Sequence, residues 1–146
     1  MSSWGVAAPC PLPVVYNPTG DITCTADTAV TAITTGAITG LDGGNYYPLI
    51  LCALTILQGA TKPTALTVKF ILGAGTAVDT YTVEPGLLSN NGELVVNCPL
   101  VGANSATAWK ASGSTINIQV TAAGQAVTCK QVGSRAIVAL FRGPDA

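Results

Sequence analysis

The most regular stretch of the chain is Thr115-Ile116-Asn117-Ile118-Gln119-Val120-Thr121, where aliphatic side chains alternate with amides and hydroxyls. Alternation with a period of two is the pattern of a strand with one buried face. Ala65 to Leu72 repeats it, with Leu66, Val68, Phe70 and Leu72 on one side and Thr67 and Lys69 on the other. Glu93 to Val101 groups Leu94, Val96, Cys98 and Leu100. Thr28 to Thr34, Tyr47 to Leu57, the more polar Ala77 to Val83, Ala126 to Val132 and Ala136 to Phe141 bring the expected strands to eight, with Ala77 to Val83 at a sheet edge. Threonine clusters such as Thr31 to Thr35 favour strand over helix, because a branched Cβ packs well on a pleated surface. Turn chemistry fills the gaps: Leu41-Asp42-Gly43-Gly44-Asn45, Gly73-Ala74-Gly75, Asn90-Asn91-Gly92 and Ala123-Gly124-Gln125. No run holds a helical period beyond about two turns. Short strands spaced in this way predict an all-β fold, an eight-stranded antiparallel jelly-roll sandwich or barrel, with an immunoglobulin-like sandwich as the second choice. The immunoglobulin Cys-Trp-Cys pattern is not met, since the tryptophans stand at Trp4 and Trp109.

Two strands depart from simple alternation. Leu49-Ile50-Leu51-Cys52-Ala53-Leu54-Thr55-Ile56-Leu57 is apolar on both faces, and Ile137, Ala139 and Phe141 make the last strand two-sided as well. In an antiparallel sandwich only one face of a strand meets the core, so an apolar second face implies a cover. If the two strands are neighbours, they form one continuous apolar outer surface. A loop, the N-terminal arm or a second subunit could cover it. Ile50, Leu54, Ile56, Ile137 and Phe141 are the contact candidates from these strands.

Residues 1–20 are expected as an extended arm ahead of a β domain spanning 21–146. Four prolines between Pro9 and Pro18 forbid helix and central strand. The arm nevertheless carries Trp4, Val6, Val14, Val15 and Tyr16, which a solvated tail would not. It packs either on its own domain or across a neighbour, and Trp4, Val6, Pro9, Pro11, Pro13 and Tyr16 are its contact candidates. The arm has no basic residue ahead of its apolar stretch and its prolines break any apolar helix, so a signal peptide is not expected.

Composition narrows the function classes. Of 146 residues 49% are hydrophobic but only 5% aromatic and 9% charged, against a usual charged share of about 25%. Six Lys+Arg against seven Asp+Glu leave no basic patch for nucleic acid. The longest strongly apolar run, Leu49 to Leu57, falls well short of the ~20 residues of a membrane-spanning helix. With no histidine, a Ser-His-Asp triad, a Cys-His dyad and a His-ligated metal are all excluded. The acidic residues stand singly in turns, which suits neither a calcium site nor a glycosidase pair. No enzyme activity, cofactor or metal is expected. Cys10, Cys24, Cys52, Cys98 and Cys129 lack the C-x-x-C spacing and read as buried free thiols of a reducing compartment, with a disulfide between strand cysteines as the alternative.

The aromatics Tyr46, Tyr47 and Trp109 are the remaining candidates, as anchors of a protein contact or as a stacking surface for sugars. A short, charge-poor, Thr/Ala/Gly/Val-rich β domain with a Pro-rich arm resembles the small decoration (cement) proteins of tailed-phage capsids. The run Thr35-Gly36-Ala37-Ile38-Thr39-Gly40-Leu41 and the tail from Val132 to Leu140 share that style. The resemblance implies a jelly-roll subunit, a homo-oligomer with three copies favoured. Such a subunit assembles in the host cytoplasm, sits on the capsid surface of a virion and clamps neighbouring major capsid protein subunits. The competing expectation is a glycan- or receptor-binding module of a virion fibre or tail.

Overall fold

The computed structural model describes residues 13–39, 46–73, 77–101 and 115–142. These carry nine strands and a single turn of 3-10 helix at Pro85–Leu87. The strands are β1 (Val14–Tyr16), β2 (Ile22–Cys24), β3 (Val30–Thr34), β4 (Tyr46–Gln58), β5 (Ala65–Leu72), β6 (Ala77–Thr82), β7 (Glu93–Val101), β8 (Ile116–Ala123) and β9 (Val127–Arg142). One sheet has the order β1-β9-β4-β7, with β2 also paired to β9, and the other the order β3-β8-β5-β6. Every strand pairing is antiparallel. The chain passes back and forth between the sheets, so strands adjacent in sequence seldom pair, as in a jelly roll.

The even-numbered faces of β4, β5, β7 and β8 fill the space between the sheets, with β9 turning Val127 and Cys129 inward before its residues 131–134 and Ala136, Val138 and Leu140 after them. Ile50, Leu54 and Ile56 of β4, Leu66, Val68 and Phe70 of β5, Ile116, Ile118 and Val120 of β8, and Val96 and Leu100 of β7 are all buried. The alternations in 65–72, 93–101 and 115–121 therefore point inward as the sequence indicates. The Asp79 carboxylate laces the two sheets at one edge, accepting the Val101 N–H from β7 at 2.9 Å. The two in-strand prolines sit where a missing N–H is harmless: Pro99 on edge strand β7, and Pro48 where β4 pairs only with β9.

Three expectations change. The two expected C-terminal strands are one, β9, interrupted by a bulge rather than a turn. Two short strands, β1 and β2, come from segments whose prolines and short length hid them. Within the expected arm, residues 13–20 are described, and Val14 to Tyr16 pair with Val138 to Ala136 at the sheet edge. That part of the arm packs on its own domain. Residues 1–12, with Trp4, Val6, Pro9 and Pro11, lie outside the described residues.

Candidate interaction surface

β9 and β4 are direct neighbours, and their register sets the outer face of the first sheet. Even residues of β4 point inward, so its odd residues point out. Pairing aligns them into cross-strand rows. One row runs Val15, Ile137, Leu51, Pro99 across all four strands. The next runs Ala139, Leu49, Val101, and beyond it Phe141 stands opposite Tyr47. On the other side lies Arg135, Ala53, Asn97, and then Thr55 opposite Val95. Leu51, Val95, Val15, Val101 and Phe141 are all exposed, Leu51 at 52%. The two-sided strands thus form the continuous apolar surface expected if they were neighbours.

The second sheet shows what an ordinary outer face looks like in this chain. Its central row is Thr31, Gln119, Lys69, Thr80, and the next is Thr121, Thr67, Thr82. One sandwich therefore carries a threonine- and amide-rich face on one side and an aliphatic face on the other. Solvation alone explains the first and not the second.

Two features give the aliphatic face relief. Ala53 is small, and the side chains around it leave a hollow of about 340 Å³ lined by Leu51, Ala53, Asn97, Pro99, Arg135 and Ile137. Beside it β9 bulges: Arg135 pairs with Ala53 and Lys130 with Thr55, so residues 131–134 loop out opposite Leu54 alone. The bulge folds over the outer face. Gly133, at φ +88°, lies against the outward side chain of Thr55, where a Cβ would meet Thr55 Oγ1 at 2.5 Å. Ser134 turns inward, its Oγ accepting the Thr55 N–H at 3.0 Å. At the other shoulder the Asp21 carboxylate accepts the Gln131 N–H at 2.9 Å and pairs with Lys130. The bulge leaves Val132 in solvent, at 83% exposure.

The candidate contact residues separate along these lines. Ile137 and Phe141 lie on the aliphatic face. Ile50, Leu54 and Ile56 do not: they are core residues, fully buried, because the pleat of β4 turns its even positions inward. Their places on the surface are taken by Leu49, Leu51 and Ala53. Tyr46 is likewise buried, while Tyr47 is half-buried on the opposite face, so the two tyrosines form no joint stacking platform. Tyr16 packs against the core and Pro13 is exposed. Trp109 lies outside the described residues. Val15 was noted as an apolar arm residue but not as a contact, and Val95, Pro99, Val101, Val132 and Arg135 were not singled out by sequence. Glu93 and Asn97 mark the outward phase of β7, and Arg135 that of β9, in the sequence, but β4 carries no such marker between Leu49 and Ala53.

Three of the aspartates among the described residues are spent on structure. Asp21, Asp27 and Asp79 each accept backbone N–H groups, Asp27 taking that of Gly124 at 2.9 Å. The Lys130 hydrogen bond, and then that from Gln131, hold the Asp21 carboxyl below its ordinary value of 3.8. Cys24, Cys52, Cys98 and Cys129 are free and buried. Burial pushes the Cys24 thiol up to about 11. Cys52 and Cys98 face each other in register, and their mutual hydrogen bond, with burial, pushes the Cys52 thiol up. No cluster of three or more His, Cys, Asp or Glu suited to a metal occurs among the described residues.

No protein-family model matches the sequence, and no curated protein matches it. Solved structures do. The chain is similar to the Eiger TNF of S. frugiperda, with a TM-score of 0.54 and 11% identity over 95% of this chain and 96% of that one. It is also similar to the infectious bursal disease virus Gx strain structure, at a TM-score of 0.46 and 14% identity over 98% of this chain and 37% of that one. The T=1 particles derived from that virus give 0.46 and 14%, over 100% and 41%. The two viral likenesses are too distant to carry weight. The first, at its low identity, establishes architecture alone: the chain is a two-sheet antiparallel sandwich of the jelly-roll kind.

Proposed function

We propose that this chain is a structural subunit of a virion. In this reading it associates with copies of itself through the aliphatic face of the β1-β9-β4-β7 sheet, three copies to an oligomer, and decorates a capsid by clamping neighbouring major capsid protein subunits. It carries no catalytic role. The row Val15, Ile137, Leu51, Pro99, with its neighbours Leu49, Val101 and Phe141, carries the proposal. Three strands about 4.8 Å apart and nine residues of about 3.3 Å each, with the three residues of β1 beside them, give this face a flat footprint of roughly 480 Å². That flat projection is already more than half of the ~800 Å² per partner of a standard stable interface. Covering it removes apolar area from water at about 25 cal/mol per Å². Many weak copies on a symmetric lattice then stabilise a shell together.

The association half rests on the geometry of this face. The capsid half rests on the compositional resemblance to decoration proteins, and co-sedimentation tests it. Labelled chain mixed with purified capsids of its source virus should pellet with them and raise the temperature at which they open. Chain that stays in the supernatant at saturating concentration would overturn the capsid assignment and leave the association face untouched.

A further inference from the structure

We infer that Val132 of one copy seats in the hollow over Ala53 of the next copy, so that the β9 bulge sets the register of the assembly. The inference rests on self-association through this face and adds which contacts align it. Val132 is the most exposed large hydrophobic among the described residues, at 83%. It does not stand on a slack loop. The two shoulders of its bulge are tied down, by Asp21 on the Gln131 N–H and by Ser134 on the Thr55 N–H, and Gly133 rests on Thr55 between them. A bulge is a local distortion of a ladder that re-aims a side chain. Here the side chain it delivers into water is apolar.

The receptor is on the same face. The hollow of about 340 Å³ has Ala53 as its floor and Leu51, Pro99 and Ile137 as walls, with Asn97 and Arg135 as a polar rim. A branched aliphatic knob entering it meets apolar groups at its sides and leaves the rim in water, the usual anatomy of an interface core. Knob and hollow are separate patches of one chain, so every copy presents both halves. Two copies can exchange knob and hollow about a two-fold axis, and three can pass them head to tail around a ring, so the contact sets the register in either arrangement. The occupant of the hollow is therefore a second copy of this chain.

A double-mutant cycle read by native mass spectrometry tests this. Val132→Ala and Ala53→Phe, which fills the hollow, are each expected to raise the dissociation constant of the oligomer tenfold or more. The double variant should be no weaker than the weaker single, because both changes break the same contact. Unchanged circular dichroism and melting of dilute samples show that each variant folds, as the outward positions of both residues imply. If both single variants associate like wild type while Leu51→Asp abolishes association, the knob contact is wrong and the face is right. If the two effects simply add, Val132 and Ala53 do not meet. If the unaltered chain is monomeric, the underlying reading fails as well.

Discussion

Leu51 and Ile50 are adjacent on β4, similar in size, and opposite in consequence. Ile50 is fully buried between the sheets, whereas Leu51 keeps 52% of its surface. Truncating Ile50 to Ala removes core atoms and leaves a void, at a cost of about 2–5 kcal/mol. At this chain length that lowers the melting temperature by about 2–4 °C per kcal/mol. The loss should be the same at every protein concentration. Leu51→Ala should cost the isolated chain no more than about 1 kcal/mol, because the side chain is already half in water. Its effect appears on association. Full burial of a leucine is worth about 1.5–3 kcal/mol, so covering the exposed half is worth roughly 1 kcal/mol per subunit. In the proposed three-copy oligomer, three such contacts make about 3 kcal/mol, on the order of 100-fold in the association constant. Thermal melts at low and high concentration, alongside sedimentation equilibrium, separate the two outcomes. Ile50→Ala should melt early without dissociating more readily, and Leu51→Ala should dissociate without melting early when dilute. Equal, concentration-independent destabilisation by both would refute the assignment of inner and outer faces.

Three further outcomes follow from the structure. Asp21 has a folded pKa held below 3.8 by Lys130 and the Gln131 amide, so its contribution is present above that value and lost as the pH falls through and below it. The stability gap between wild type and Asp21→Asn, measured by urea melts, should be full at neutral pH and close in acid; a gap that widens in acid would reverse the assignment. Gly133→Ala should cost about 1–3 kcal/mol through its positive φ and the Thr55 contact. Adding Thr55→Ala should recover part of that loss, and no recovery would mean the two residues do not touch. Cys24, Cys52, Cys98 and Cys129 are buried, so at mildly alkaline pH a thiol reagent, mapped by mass spectrometry, should label none of them until the chain unfolds. Rapid labelling of any of the four in the native protein would contradict their placement.

Much of the fold was legible because most strands carry a polar residue that sets their phase. Lys69 and Thr67 orient β5, and Asn117 and Gln119 orient β8, so their inward residues could be named from sequence. β4 has no such marker across Leu49 to Ala53, and a period of two cannot say which half of an all-apolar run is buried. That is why Ile50, Leu54 and Ile56 read as surface candidates and Leu51 did not. Its phase comes only from pairing, through Asn97 and Arg135 opposite Ala53. The bulge was illegible for a related reason. Gln131 to Ser134 has the composition of a turn, and only the continued pairing of β9 with β4 on both sides distinguishes a bulge from a break. β1 was hidden by the prolines around it, since a strand at a sheet edge tolerates prolines that a central strand does not.

The central claim is that the aliphatic face of the β1-β9-β4-β7 sheet is covered by other copies of the chain. Sedimentation velocity of the unaltered protein, run from sub-micromolar to high-micromolar concentration beside Leu51→Asp, tests it most directly. The proposed function predicts a discrete oligomer, of three copies in that reading, for the wild type and a folded monomer for the variant. A wild type that stays monomeric across the whole range, or a Leu51→Asp variant that assembles as well as wild type, would contradict it.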